Sequence, residues 1–356
     1  LKKILFIIGT KPEAIKLTPL ILYFKERSVN VKVCSTNQQK DILEKVFHSF
    51  NIKFDFVLDF QNKNQNLTEL TGKILLELNK IKENFDLIVV HGDTTSSFCG
   101  ALYSFYNKIP LAHIESGLRS NDIFSPIPEE VNRKFIDNLA QFHFAPNENN
   151  KNNLLREGIN EHNIHVTGNT IVDMLYLTIK KDYNHFILDW AADSKLIICS
   201  LHRRENWNKI DSFLISLNRF LENNEEYKML YILNSNPFLE KVVNSFHSSK
   251  ILFHKPLDVV DFHNILSRSH SIVSDSGGLQ EEAVFLEKPM LVMRENTERQ
   301  ELVENFCGRT INFSDIDKEL FDFFKNYHSF EKNKTLYGDG KASEKIYKVL
   351  SEFMLI

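Results

Sequence analysis

The residues best suited to chemistry in this sequence stand directly behind short apolar runs. His91-Gly92-Asp93-Thr94-Thr95 follows the run Leu87–Val90, so an ionisable group emerges from four apolar residues. His113-Ile114-Glu115-Ser116-Gly117-Leu118-Arg119 repeats the arrangement at the run Leu111–Ile114, with Glu115 beside a glycine turn and an arginine. Pro126-Ile127-Pro128-Glu129-Glu130-Val131-Asn132-Arg133 reads as a helix start. Pro128 suits its first position, and Glu129 and Arg133, four apart, share a face. Asp93, Glu115 and Glu129 gathered in one site would repel one another and raise at least one pKa. That supplies a protonated acid beside an ionised base. Plainer readings stay open: Asp93 as a helix N-cap, and Glu129 with Glu130 as favourable charges at a helix N-terminus.

Other segments look suited to an anion. Gly9-Thr10-Lys11-Pro12-Glu13 joins the first apolar run to a helical pattern holding Lys16, and such a junction offers backbone N–H groups and the positive helix end. It is neither G-x-G-x-x-G nor a Walker A loop, and a plain turn is the competing reading. His202-Arg203-Arg204-Glu205 concentrates donors behind the run Leu196–Ser200. Guanidinium forks suit phosphate oxygens, and His202 can protonate a leaving group; a surface ion-pair cluster is the alternative. The sharpest motif is Ser274-Asp275-Ser276-Gly277-Gly278-Leu279-Gln280-Glu281-Glu282. The N–H groups around Ser276, Gly277 and Gly278 open a helix and can cradle a diphosphate, while Glu282 can grip vicinal ribose hydroxyls. Arg299 adds a cation after the run Pro289–Met293.

These segments need a scaffold that brings strand ends together. Short aliphatic runs recur at Ile4–Ile8, Val31–Ser35, Leu87–Val90, Leu111–Ile114, Gln141–Ala145 and His165–Val166. They recur again at Leu196–Ser200, Met229–Leu233, Ile251–Phe253, Ser271–Ser274 and Pro289–Val292, with helical patterns between. That is the signature of parallel sheets covered on both faces. The fold class is therefore α/β, with two Rossmann-like domains facing a cleft at their strand C-terminal ends. The boundary is expected near Gly168-Asn169-Thr170: residues 1–168 form the first domain and 169–341 the second. Ile316–Phe324 and the final stretch from Ala342 look helical, the latter packing back on the first domain.

A length of 356 residues with 42% hydrophobic content fits two cores. The net charge of −4 lacks the basic excess of a nucleic-acid binder. Cys34, Cys99, Cys199 and Cys307 are scattered without a CxxC, as reduced core thiols would be. The first apolar run is too short for a signal h-region, and no segment reaches the roughly 18 apolar residues of a membrane helix. A cytoplasmic protein is expected, without membrane or nucleic-acid partners.

Taken together, GTKPEAIKLTPL, VHGDTTSS, AHIESGLRS, SPIPEEVNRK, VTGNTIVD, HRRENW, SDSGGLQEEA, KPMLVMRENTER and YGDGKAS resemble the bacterial non-hydrolysing UDP-GlcNAc 2-epimerases along essentially the whole chain. The resemblance implies the two-Rossmann-domain GT-B fold and a homodimer. It assigns Asp93, Glu115 and Glu129 to the acid/base and sugar site, with His202 near the diphosphate. Ser276 and Gly277 would contact phosphate, Glu282 ribose, and Arg133, Lys16 and Arg299 further parts of a UDP-sugar substrate. Lys11 stands where the family usually has arginine, keeping the charge without the bidentate fork.

The implied chemistry breaks the C1–O bond to UDP, which makes C2–H acidic. The 2-acetamidoglucal and UDP then recombine with protonation from the opposite face. Neither a redox cofactor nor a metal is required. Related readings are a GT-B glycosyltransferase, a hydrolysing 2-epimerase releasing ManNAc, and a silent nucleotide-sugar sensor. Many family members bind a second UDP-GlcNAc as activator, partly through a His-Arg pair after a glutamine and a histidine before Asn-Pro. Here those segments read Asn37-Gln38-Gln39-Lys40 and Asn234-Ser235-Asn236-Pro237, so little dependence on an activator is expected.

Overall fold

The computed structural model describes residues 2–59, 66–201, 203, 206, 209–233, 246, 248–294, 308–310, 319–320, 322–323 and 334–354. The chain divides into two compact units: unit 1 is Leu1–Leu177 with Tyr337–Ile356, and unit 2 is Thr178–Leu336.

Unit 1 contains β1 (Lys3–Ile8), α1 (Lys11–Glu26), β2 (Asn30–Ser35), α2 (Lys40–His48), β3 (Phe56–Val57) and α3 (Leu67–Leu78). It continues with β4 (Leu87–His91), α4 (Thr95–Tyr106), β5 (Leu111–Ile114), α5 (Glu129–Leu139), β6 (Phe142–Ala145), α6 (Glu148–Arg156), β7 (Ile164–Val166) and α7 (Thr170–Thr178). The strands are parallel in the order β3-β2-β1-β4-β5-β6-β7. The unbroken apolar runs follow from burial on both faces. Ile4, Phe6 and Ile8 of β1 enter one core with Leu17, Leu20 and Phe24 of α1, while Leu5 and Ile7 enter another with Ile74 of α3 and Ile136 of α5. The winding reverses between β1 and β4, so the turns after these strands lie at a topological switch point, where open α/β sheets bind ligands.

Unit 2 repeats the plan with α8 (Phe186–Ala191), β8 (Lys195–Ser200), α9 (Ile210–Glu222), β9 (Tyr227–Ile232), β10 (Ile251–His254) and α10 (Val259–Arg268). Then come β11 (Ser271–Ser274), α11 (Gly277–Phe285), β12 (Met290–Val292) and β13 (Gly308–Thr310). The parallel order is β10-β9-β8-β11-β12-β13, with its switch point between β8 and β11. The strands β3 and β13 are additional to those read from sequence. Most of Ile316–Phe324 lies outside the described residues.

The last helix, α12 (Ala342–Met354), packs on α1 in unit 1, with Tyr347 edge-on to Phe24 and Ile346 and Leu350 in the shared core. The division between units falls later than Gly168 for a local reason. Asn169 N donates to Tyr337 O at 2.7 Å, and Asp173 in α7 accepts from Ala342 N and Ser343 N, capping α12. At this crossing a Cβ on Gly168 would lie 2.9 Å from Gly338 Cα, and both glycines have positive φ. Two backbones can pass so closely only where neither carries a side chain.

Candidate functional site

Each switch point carries one group of candidate residues. In unit 1 the turn after β1 is locked by Glu13, which is buried in the first turn of α1. Its carboxylate accepts from Gly9 N at 3.0 Å, Thr10 N at 2.6 Å, Thr10 Oγ1, Thr94 Oγ1 and Ser97 Oγ. Burial raises its pKa above the usual value although these donors pull the other way. Lys11 N donates to Gln39 Oε1 at 2.9 Å. The expectation that this turn offers backbone N–H groups to a phosphate is thereby corrected. Gly9, Thr10 and Lys11 give them to Glu13 and Gln39.

The acidic turns lie next door. β4 and β5 pair with His91 opposite Ile114, so Asp93 and Glu115 leave the sheet at adjacent strand ends. Asp93 faces α5, where Arg133 Nη2 donates to its Oδ2 at 2.5 Å and Asn132 Nδ2 donates to its carbonyl. Glu115 is 9% exposed and takes a positive φ of 66°. Its Oε2 accepts from Lys16 Nζ and from Asn169 Nδ2 at 2.6 Å, and His91 Nε2 stands 3.7 Å away. Lys16 comes from α1, Asn169 from the residue before α7, and His91 from β4. A Cβ on Gly92 would meet Glu115 Oε1 at 3.7 Å, which places the two acidic turns side by side.

Glu129 is half-buried at the first position of α5, one turn ahead of Arg133. Its neighbour Glu130 has a different job from the paired helix-end charge read in the sequence. It is fully buried and accepts from Ser120 N at 2.9 Å and Asn121 N at 3.3 Å, with Arg133 Nη1 at 3.3 Å. Unit 1 thus brings together Lys16, Asp93, Glu115 and Arg133, with Glu129 on the same helix as the last.

In unit 2, Ser276 is the N-cap of α11 and Gly277 and Gly278 are its first residues. Ser276 Oγ makes no capping bond, and a Cβ on Gly278 would meet nothing within 4 Å. A helix start leaves its first N–H groups without partners in the helix, as an anion cradle requires. Glu282 lies further along α11, with His263 Nε2 from α10 at 3.8 Å from its Oε2. His263 Nδ1 is 2.7 Å from Thr178 Oγ1. Asp275, fully buried, accepts from Arg203 N at 3.0 Å and Asn206 Nδ2 at 2.9 Å. It ties the segment after β8 to the turn after β11. His202 and Arg299 lie outside the described residues, as do Asn234 to Pro237.

Several of these roles were not visible in sequence. Asn169 looked like domain punctuation in Gly168-Asn169-Thr170, and Asp275 like part of a glycine turn. Glu13 sits three residues after Thr10, the spacing of a capping box, which was the available signal.

Comparison with known proteins bears on the whole arrangement. A family model for UDP-N-acetylglucosamine 2-epimerase matches residues 23–351. The UDP-N-acetylglucosamine 2-epimerase of Bacillus subtilis (strain 168) is 37% identical over 359 residues, covering 98% of this chain and 94% of that protein. The S. aureus MnaA–UDP co-structure superposes with a TM-score of 0.93 at 36% identity, covering 100% of this chain and 97% of the other. The UDP-GlcNAc 2-epimerase of Neisseria meningitidis, solved bound to UDP-GlcNAc, gives a TM-score of 0.88 at 36% identity, with 98% and 100% coverage. Two Rossmann-like units of GT-B type, acidic turns at one switch point and a glycine-opened helix at the other are accompanied by a match along nearly the full length, and the chain belongs to the UDP-N-acetylglucosamine 2-epimerase family.

Proposed function

We propose that this enzyme inverts C2 of a UDP-N-acetylhexosamine, with UDP-GlcNAc as the first substrate, by eliminating UDP and adding it back. The observation that carries this reading is the pair of neighbouring acidic turns, each carboxylate paired with its own cation but unequally exposed. The Asp93 side chain is 23% exposed and paired with Arg133, whereas that of Glu115 is 8% exposed and held by Lys16 and Asn169. Reversal at C2 needs a base on one face of the sugar and an acid on the other, and two carboxylates in unlike environments divide those tasks. Glu129, at the start of α5, completes the acid/base and sugar set, and Arg133 and Lys16 hold the charges in place.

Departure of UDP leaves negative charge on the diphosphate. Ser276 N donates to Ser274 Oγ at 3.0 Å, so the start of α11 at Gly277 and Gly278, with the Ser276 hydroxyl, is what suits that charge, and Glu282 suits ribose hydroxyls. His202 and Arg299 join this group through their places in the sequence, and Lys11 contributes charge near the sugar side. The chemistry is redox-neutral and asks for no cofactor.

Incubation with UDP-GlcNAc in D2O, followed by NMR, tests the proposal. UDP-ManNAc carrying deuterium at C2 is expected. Free ManNAc with UDP would replace it by a hydrolysing enzyme, and retention of the original hydrogen would exclude elimination.

The same reading extends to assembly and location. Leu76 of α3, Phe105 and Tyr106 of α4 and Phe135 of α5 are 54–68% exposed on helices that pack in series, an apolar face that suits a second copy of the chain. No helix among the described residues is long and apolar enough to cross a membrane. Cys34, Cys99 and Cys199 are buried free thiols, which suits the cytoplasm.

A further inference from the structure

Behind the two acidic turns lies a buried polar network that the proposed chemistry does not use. Its centre is Asp137, one turn beyond Arg133 on α5 and 1% exposed. Asp137 Oδ1 accepts from His113 Nδ1 at 2.6 Å and from Ser116 Oγ at 2.5 Å, and its Oδ2 accepts from Arg119 Nη2 at 2.7 Å. Arg119 Nε also donates to Glu157 at 2.8 Å, and His143 Nδ1 lies 3.3 Å from Ser116 Oγ. The second nitrogen of His113, Nε2, lies 2.7 Å from the carbonyl of Gly92.

His113, with one ring nitrogen at the Asp137 carboxylate and the other at the Gly92 carbonyl, links α5 to the Gly92 turn. Burial alone would raise the pKa of Asp137, but His113, His143 and Arg119 hold it well below the usual carboxylate range. The network is therefore an ionised carboxylate reaching both turns: through His113 to Gly92, which precedes Asp93, and directly to Ser116, which follows Glu115. The Glu115 turn needs holding. Gly92 has φ of 62° and Glu115 has φ of 66°, and for a glutamate that conformation persists only where its surroundings over-determine it.

Resting on the acid/base assignment above, we propose that Asp137 is a positioning residue that fixes the spacing between Asp93 and Glu115. Its task is to keep the group that removes the C2 proton and the group that returns one in register until the glycal has recaptured UDP. A purely architectural Asp137 would affect elimination and re-addition alike. A positioning one keeps the first step running while the second fails, because a displacement of about 1 Å costs on the order of 10²-fold in a step that requires alignment.

Three variants test this: Asp137→Asn, His113→Asn and His113→Gln. An asparagine amide reaches the place of Nδ1 and so abandons Gly92, whereas a glutamine amide reaches the place of Nε2 and keeps that bond. For each, UDP affinity is measured by calorimetry, and released 2-acetamidoglucal and epimerised UDP-sugar are quantified by NMR. The expected result is UDP binding within about threefold of wild type, since unit 2 is untouched. The ratio of released glycal to epimer should rise about tenfold or more in Asp137→Asn and His113→Asn, with His113→Gln closer to wild type. An unchanged ratio in folded, UDP-binding variants overturns the proposal. Loss of cooperative unfolding in all three also overturns it, because the network then holds the fold and nothing finer. If wild type neither epimerises nor exchanges the C2 proton, it is the acid/base assignment that fails.

Discussion

Replacing Lys16 by methionine should destabilise unit 1 by about 3 kcal/mol, far more than loss of an ordinary ion pair. Lys16 and Glu115 expose 5% and 8% of their side chains, so Lys16→Met leaves a carboxylate out of water without its counter-ion. Breaking a buried pair from one side costs about 3–5 kcal/mol, against about 0–1 kcal/mol for an exposed pair. The lower end applies because Asn169 Nδ2, at 2.6 Å, still donates to Glu115 and His91 stays close. Adding Glu115→Gln removes the stranded charge, keeps an oxygen for Asn169, and should restore at least about 2 kcal/mol relative to the single variant. The assay must separate the units. Trp190 and Trp207, the two tryptophans, both fall in the sequence of unit 2, so their fluorescence reports that unit. Urea unfolding followed by far-UV circular dichroism should show an early transition in Lys16→Met that tryptophan emission does not share. The reasoning fails if Lys16→Met stays within about 1 kcal/mol of wild type, or if the double variant is no more stable than the single.

Four further outcomes are expected. Asp93→Asn, Glu115→Gln and Glu129→Gln should each lower kcat by about 10²-fold or more while UDP binding persists; full turnover in any one removes that residue from the acid/base set. The pKa of Asp137 is depressed in the fold, so the stability it lends is present above the unfolded aspartate value of about 3.9 and is lost as pH falls through the folded value. Acid titration of urea midpoints should therefore be shallower below about pH 4 in Asp137→Asn, and a parallel curve would contradict the linkage. Gln39 Oε1 accepts from Lys11 N and Gln38 Oε1 accepts from Ser96 Oγ at 2.9 Å, so both amides already serve their own chain. Rates should rise hyperbolically with UDP-GlcNAc, and UDP-ManNAc should react without added UDP-GlcNAc; a strict requirement for it would show that an activator site persists. Phe105→Asp with Phe135→Asp should convert a dimer to a monomer in light scattering, and an unchanged mass would place any interface elsewhere.

The strands were legible because burial on both sheet faces demands unbroken apolar runs, and Ile4–Ile8 and Leu87–Val90 lie wholly within β1 and β4. Asp93 and Glu115 were legible for the same reason: an ionisable group ending such a run has to emerge at the sheet edge. What was hidden depends on partners distant in sequence. Of the first turn's donors, Gly9 N and Thr10 N go to the nearby Glu13, but Lys11 N goes to Gln39, 28 residues on, which no local pattern reveals. Asp137 sits inside an amphipathic helix, where an acidic residue ordinarily faces solvent, and only the packing of α5 on β5 turns it inward. Asn169 sat in a Gly-Asn-Thr stretch, the composition of a linker. β3 spans two residues, too few for any pattern.

The glycine crossing has a consequence for biosynthesis. Gly168 and Gly338 touch, yet all of unit 2 is translated between them, so unit 1 is interrupted in the chain although continuous in space. While unit 2 emerges from the ribosome, the core beside α1 lacks Ile346 and Leu350, and Asp173 has no α12 to cap. Domains generally fold in the order of their synthesis. Here the first to begin is the last to finish, and a message cut short after residue 336 would yield a complete unit 2 joined to a unit 1 with an apolar flank uncovered.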